Sequence, residues 1–377
     1  MTEPLRITHV LTSAGPGPGM GGPLRVALDQ AHELASRGHD VALVAGWRDR
    51  RWGPDQIEGI RSVLPPARVL VRRFAFSSLV SIEADAAVRR AVKSSDVVHV
   101  HLARDAIPLL ATLHATRAGV PYVTQTHGMV FPDDRGLVGL VDRVGTRRAL
   151  RGAHRRFVLT PYEASDVEAV QASPTTILRN GMPDSDHPAA SAQNRDDEPE
   201  VLFLARLKAN KQPLVFAEAA RRLHEQGVPG RFTIIGPDQG ELAAVEAFIR
   251  VNQADGYLHY AGEVDTTESR RRTREASVYV LPSSHDPFPV SVLEAMAEGV
   301  ACVVSNGCLF AQELHESGGA LVVEPTVEDV AQGVAELLRN PDRRVDMGVR
   351  AQQVIRESFS IRAVVDQLES RYIEAVA

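Results

Sequence analysis

Residues 277–304 leave this chain little choice of architecture. They read as strand, loop, helix and strand in direct succession. Val278–Leu281 is a short apolar run closed by Pro282. Pro289 suits the start of a helix, where the missing N–H costs nothing because the first helical residues have no partner inside the helix. Val290, Leu293, Met296 and Ala297 then recur at helical spacing, Gly299 ends the helix, and Val300–Val304 is the next buried strand. Asp286 lies in the loop and Glu294 inside the helix, eight positions later. Both carboxylates can face a ligand at a helix N-terminus, which itself offers free N–H groups and partial positive charge.

The same alternation runs through the whole chain. Strands are expected at Leu5–Leu11, Val41–Ala45, Arg68–Val71, Val97–Val100, Tyr122–Thr126, Phe157–Thr160 and Thr176–Leu178. Helical patterns lie between most of them, at Pro23–Ser36, Leu79–Val92, Asp105–Ala118, Leu137–Leu150 and Glu163–Val170. This predicts an α/β fold with a parallel doubly wound sheet and ligands at the carboxyl ends of its strands. Residues 182–199 are polar, proline-containing and aperiodic, as an interdomain linker would be. Alternation restarts at Val201–Leu204 and recurs at Phe232–Ile235, Leu258–Tyr260, Val278–Leu281, Ala301–Val304 and Ala320–Val323. The expected plan is therefore a domain over 1–181, a linker over 182–199, a second Rossmann-like domain over 200–358 and a final helix over 359–377. A chain of 377 residues suits two cores better than one. In the last helix Ser360 can cap, and Ile361, Val364, Val365, Leu368, Tyr372, Ile373 and Val376 form an apolar stripe.

Bulk properties remove several classes of function. A net charge of −6 gives no general attraction to nucleic acid. Cys302 and Cys308 are the only cysteines, which gives no disulfide framework and fits a reducing, cytoplasmic compartment. No apolar run approaches the ~18 residues of a membrane span, and the N-terminus goes straight into a strand without a secretory pattern. Basic residues are nearly all arginine. Lys93, Lys208 and Lys211 are the lysines, and the last two sit together after the first strand of the second domain.

Pro282, Ser283, Phe288, Leu293, Glu294, Ala295, Met296, Ala297 and Gly299 together resemble the signature of retaining GT-B glycosyltransferases of the family 4, or glycosyl transferases group 1, type. In that pattern Asp286 replaces a glutamate, and Pro287 and Pro289 replace glycines. The resemblance implies two Rossmann-like domains facing across a cleft and covers essentially the whole chain. It is tighter in the second domain than in the first. It implies that Glu294 binds the donor ribose and Asp286 holds sugar hydroxyls, with the backbone around Phe288, Pro289 and Val290 assisting. Arg206 and Lys211, in Ala205-Arg-Leu-Lys-Ala-Asn-Lys211, match the two cations that hold a donor diphosphate. Two cations at a helix start can stabilise a departing pyrophosphate without a metal, so neither metal nor cofactor is expected. Gly236 and Val264 fall where the family builds its base pocket. The final helix is implied to cross back onto the first domain; a helix closing its own domain reads equally well from the stripe alone.

Three features of the first domain bear on chemistry. Gly17, Gly19 and Gly22 satisfy the spacing of a dinucleotide loop, but no acidic residue stands at the end of the second strand to bind a ribose. The resemblance instead matches Gly21 and Gly22 to a Gly-Gly turn that approaches the donor phosphate or the acceptor. His127 ends a strand in Thr126-His-Gly128 and matches a histidine close to the donor sugar, where it can donate a hydrogen bond. His99 and His101 share one strand face; a metal pair is conceivable, but no third ligand is placed by the sequence, and the resemblance, in which a Val-His-Val-His strand is common, implies a structural or cleft-lining role. Arg143, Arg147 and Arg151, spaced by four, form a basic face that is either a solvated helix face or a peripheral contact with the inner face of a membrane.

These readings converge on a glycosyltransferase. It would move a sugar from a nucleotide-diphosphate donor to a sugar, lipid-linked or small-molecule acceptor in glycoconjugate, polysaccharide or natural-product biosynthesis. The alternatives are a non-catalytic nucleotide-sugar binding protein, a GT-B epimerase or phosphorylase and, more distantly, an NAD-dependent enzyme.

Overall fold

The structure is a computed structural model and describes residues 3–15, 22–49, 51–69, 79–80, 82–133, 136–182, 187–189, 199–286 and 288–377. Gly17, Gly19 and Gly21 of the glycine-rich turn, Pro287 and most of residues 182–199 lie outside the described residues.

The chain forms two compact units, one of Met1–Gly181 with Ile361–Ala377 and one of Met182–Ser360. In the first unit the strands are β1 (Arg6–Ala14), β2 (Asp40–Trp47), β3 (Gln56–Ile57), β4 (Ile60–Val63), β5 (Arg68–Val69), β6 (Leu79–Val80), β7 (Val97–His101), β8 (Tyr122–Gln125), β9 (Arg155–Val158) and β10 (Thr176–Ile177). Eight of them form one sheet in the order β10-β9-β8-β7-β1-β2-β4-β3, parallel except at the β3–β4 hairpin. Leu79 and Val80, expected to open a helix, instead pair antiparallel with β5. The helix starts at Ile82, where Glu83 and Asp85 place acidic charge in its first turn and favour the N-terminal dipole end there. The helix expected over 137–150 spans Gly136–Gly152 with a π-helical turn at Asp142–Thr146.

The second unit holds β11 (Glu200–Leu204), β12 (Arg231–Ile235), β13 (Leu258–Tyr260), β14 (Val278–Leu281), β15 (Ala301–Ser305) and β16 (Leu321–Val323) in one parallel sheet, ordered β13-β12-β11-β14-β15-β16. Its strands are apolar on both faces because helices cover both. Winding reverses between β11 and β14, and in the first unit between β1 and β7. Such reversals leave a crevice at the carboxyl ends of the two strands, where no crossover loop covers it.

The C-terminal helix, Ile361–Val376, belongs to the first unit. Ile361, Val364, Val365, Leu368 and Tyr372 are buried in one core with Leu28, Ala31 and Leu34 of the helix Gly22–Ser36. Ile373 and Val376, counted in the apolar stripe, are exposed: Ile373 lies off the face of the other five, and Val376 is the last residue of the helix. Arg37 brackets the contact with bonds to Asp366 at 2.6 Å and Glu369 at 3.0 Å. The chain leaves the second unit between Ser360 and Ile361, two residues beyond the expected boundary.

Where the chain passes between units, its two segments run side by side. Met182 N–H donates to Phe359 O at 2.7 Å. A Cβ on Gly181 would come within 2.6 Å of Ile361 Cα, so only glycine lets the two backbones approach this closely. Gly181→Ala should therefore destabilise the protein by about 1–3 kcal/mol, as overpacking against backbone does. Urea denaturation followed by circular dichroism measures this, and an unchanged midpoint would show that the crossing relaxes freely.

Candidate active site

The reversal in the second unit positions the functional loops of that half. The loop after β11 carries Arg206 and leads to Lys211 in the 3₁₀ turn Ala209–Lys211; the loop after β14 carries Asp286. These two loops are bonded to each other. Ser284 N–H donates to Asn210 O at 2.9 Å, and Asn210 Nδ2 to His285 O at 2.8 Å. A third loop, after β15, closes the group. Asp286 N–H donates to Gly307 O at 2.9 Å, and Leu309 N–H to Asp286 O at 3.0 Å. Gly307 is needed here, because a Cβ would fall 2.1 Å from Ser283 O.

This scaffold buries the Asp286 carboxylate and pairs it with the Lys211 ammonium. The other carboxylate oxygen accepts from Phe288 N–H at 3.3 Å. The cation assigned to diphosphate and the acid assigned to sugar hydroxyls are therefore ion-pair partners. Arg206 is exposed, and its guanidinium makes no hydrogen bond or ion pair among the described residues. Pro289 is the N-cap of the helix Val290–Ala297 and supplies no side-chain cap; Val292 N–H donates to Pro289 O at 3.1 Å, which leaves the N–H groups of Val290 and Ser291 at the helix start as donors. Glu294 sits half-buried in the second turn of that helix. Tyr279 braces the helix start through its hydroxyl, 2.8 Å from both Leu204 O and Ser291 Oγ. Phe288 is half-buried against Phe310, with ring centroids 4.9 Å apart.

Gly236 follows β12 with φ +146°, and a Cβ there would meet Ala205 O at 2.0 Å. Its N–H donates to Gly262 O at 2.9 Å, and its carbonyl accepts from Tyr260 Oη at 2.9 Å. Gly236 thus sets the width between neighbouring loops. Val264 is half-buried, beyond Gly262 on the same edge.

In the first unit Gly22 opens the helix Gly22–Ser36. His127 lies just beyond β8 in a left-handed conformation, φ +51°, an uncommon backbone state for a residue with a side chain. Glu163 holds this turn. Its carboxylate accepts from Thr126 Oγ1 and Gly128 N–H at 2.5 Å each, and from Leu159 N–H at 2.6 Å. Sequence reasoning missed Glu163. The one available signal was an acid in the first turn of a helix with Thr160 as its cap, which reads as ordinary capping.

The third histidine absent from the sequence reading is His9. It lies opposite His99 in the β1–β7 register. His9, His99 and His101 are buried with ligand-capable atoms all within 4.8 Å of one another. Rings of His99 and His101 stack at 4.6 Å and 1°. His101 bonds His9 through Nε2 at 3.0 Å and His127 through Nδ1 at 2.7 Å. Burial pushes His9 and His127 down to about 3, and holds His99 and His101 well below the usual histidine range.

Two sequence profiles match the chain: Glycosyl transferases group 1 over residues 186–354, and the Glycosyl transferase 4-like domain over residues 21–181. The chain belongs to the group 1 glycosyltransferase family. It is similar to the UDP-Gal:alpha-D-GlcNAc-diphosphoundecaprenol alpha-1,3-galactosyltransferase of Escherichia coli, 28% identical over 74% of this chain and 76% of that protein. It is also similar to the GDP-mannose:cellobiosyl-diphosphopolyprenol alpha-mannosyltransferase of Xanthomonas oryzae, 25% identical over 76% of each. Among solved structures, the Anabaena protein HepE in complex with UDP superposes with a TM-score of 0.73 over 98% of this chain and 100% of that one, at 13% identity. The fold is thus GT-B and the chain is a glycosyltransferase; these similarities do not favour a binding protein, an epimerase or a dehydrogenase.

The buried histidines give the glycosyltransferase a pH signature. Their folded pKa values lie below the unfolded value of about 6.5, so the unfolded chain binds more protons between the two. Stability from these groups is present above about pH 6.5 and is lost as pH falls toward about 3. Glu163, raised by burial against the pull of its hydrogen bonds, acts with the opposite sign through the carboxylate range. The histidine effect is therefore cleanest from about pH 6.5 to about pH 5. Urea midpoints should fall across that window, and His9→Phe should reduce the slope; a flat profile would show that the imidazoles are not buried neutral.

Proposed function

We propose that this glycosyltransferase uses a nucleotide-diphosphate sugar without a metal and transfers with retention to a lipid-linked acceptor. The observation that carries this is the loop cluster at the β11–β14 reversal. Here Arg206, Lys211, Asp286 and the open helix start at Val290 come together in one unit. Arg206 and Lys211 supply cationic charge to the diphosphate, and the helix N–H groups add to it. Glu294 reaches the ribose, and Gly236 and Val264 border the base. Asp286 accepts from sugar hydroxyls, and His127 donates to the sugar. In the transfer step the bond from the sugar's anomeric carbon to the β-phosphate oxygen breaks. The acceptor oxygen bonds that carbon from the same face, and its proton passes to the departing phosphate. Both relatives form alpha linkages by name and take UDP- or GDP-sugars, which supports retention and those two bases as first candidates.

Asp286 compensates the Lys211 charge. A bound diphosphate competes for it, and the carboxylate is released toward the sugar. A thermal-shift screen of UDP-, GDP-, ADP- and dTDP-sugars identifies the donor, since a ligand at about 100 times its Kd stabilises by about 2.7 kcal/mol. With that donor, Arg206→Ala should weaken nucleoside-diphosphate binding by about 2–4 kcal/mol. Asp286→Asn should bind the bare diphosphate as tightly as wild type or more so, yet transfer at least about tenfold more slowly. Transfer should also persist in EDTA. Wild-type turnover by the Asn variant would remove Asp286 from the sugar site, and loss with EDTA restored by Mn²⁺ would remove the metal-free reading.

Acceptor access is supported by the surface of the helix Gly136–Gly152. Leu140 is 55% exposed and Val144 68%, one turn apart, flanked by exposed Arg143 and Arg147. Apolar residues beside arginines suit an interface with anionic lipid. No helix among the described residues is long and apolar enough to cross a membrane. Wild type should sediment with vesicles containing phosphatidylglycerol, and Leu140→Ser with Val144→Ser should release it at unchanged donor affinity. Equal sedimentation of both proteins would assign the face to solvent.

A further inference from the structure

The histidine cluster invites a metal, but its geometry refuses one. A metal lies in the ring plane of each imidazole that binds it, and His99 and His101 are parallel to within 1°. Both nitrogens of His101 are already engaged, one with His9 and one with His127. What the residues do form is a directional chain, His9–His101–His127. His99 stacks against His9 at 4.8 Å and His101 at 4.6 Å but sends its Nδ1 to the Tyr372 hydroxyl at 2.6 Å. It packs the chain without joining it.

All three members are neutral near pH 7, so each ring carries one N–H. Each of the two bonds needs one hydrogen. If His9 carries its hydrogen on Nδ1, His101 must carry its own on Nδ1, and so must His127. If His9 carries it on Nε2, all three reverse. Only these two arrangements keep both bonds. His9 Nε2 chooses between them, because it is buried with no hydrogen-bond partner. In the second arrangement that position is an N–H donor without an acceptor; in the first it is a bare lone pair. Buried orphan N–H groups are rarer than under-satisfied acceptors.

We propose that His9, acting through His101, holds His127 as its Nδ1–H tautomer and so makes His127 Nδ1 a hydrogen-bond donor. Among the described residues His127 Nδ1 makes no hydrogen bond, and a donor there suits an oxygen of the bound sugar. His127 then acts neither as a base nor as a cation, and His9 and His101 are positioning residues. The choice of ligand rests on the function proposed above; the tautomer does not.

The test is a long-range ¹H–¹⁵N correlation spectrum of protein labelled with ¹⁵N-histidine near pH 7, with His127 assigned by loss of its signals in His127→Asn. The expected pattern for His127 is Nδ1–H. An Nε2–H pattern in wild type overturns the proposal. His9→Asp sets an acceptor-only oxygen where His9 Nδ1 meets His101 Nε2, so His101 must donate from Nε2 and accept at Nδ1, and His127 should turn to the Nε2–H pattern. Should that variant not fold, His9 and His101 of the wild type should themselves show the Nδ1–H pattern, and an Nε2–H pattern at either overturns the relay. An unchanged Nδ1–H pattern of His127 in folded His9→Asp also overturns it. One equivalent of Zn²⁺ should leave the spectrum unaltered, and collapse of the His9, His99 and His101 signals together would make the cluster a metal site instead. An enzyme inactive with every sugar nucleotide would sink the glycosyl reading and leave the tautomer measurement standing.

Discussion

A parallel sheet can expose ligand-facing loops only where its winding reverses, and each half of this protein depends on that constraint. Elsewhere along the sheet each crossover covers the carboxyl end of the strand it leaves. In the second unit the reversal falls between β11 and β14, and the loops that follow those two strands carry Arg206, Lys211 and Asp286. In the first unit it falls between β1 and β7, and it brings His9, His99 and His101 onto neighbouring strands. The chemistry of each unit is thus placed by strand order rather than by any single loop.

Electrostatics then determines the charge pairing in the second unit. A carboxylate as buried as Asp286 needs a partner, and Lys211 is the cation the scaffold supplies. Three loops must meet for this, which explains why a backbone approach as close as that at Gly307 is built into the turns. On the function proposed above, a diphosphate would compete with this carboxylate for the same ammonium. Arg206, exposed, can remain available to a ligand throughout.

The first unit solves a different problem. Its interior contains more polar atoms than a plain apolar core would, and they are organised by stacking and by hydrogen bonds along one direction. The C-terminal helix contributes to that interior through Tyr372 while filling the apolar groove beside the helix Gly22–Ser36. A helix that is last in sequence is therefore part of the first core. Arg37, with its bonds to Asp366 and Glu369, adds charge at the rim of the contact.

Much of this was legible in the residues. The period of apolar positions declared strands and helices, since that signal is local. The run from Val278 to Val304 placed Asp286 before a helix and Glu294 within it, and the stripe from Ile361 to Tyr372 showed that the last helix buries one face. What periodicity cannot state is which distant segment fills the other side of a contact. Lys211 and Asp286 are 75 residues apart, His9 and His101 are 92 apart, and His99 and Tyr372 are 273 apart. Such partners are chosen by sheet order, register and the packing of whole helices, none of which leaves a mark at the residue itself. The chain alone therefore determined which side chains could do chemistry and on which kind of element each would sit. Only the tertiary structure decided that the cation is held by the acid, that His9 completes the histidine chain, and that Glu163 holds the turn at His127, because each depends on distances that close only once the sheets are wound.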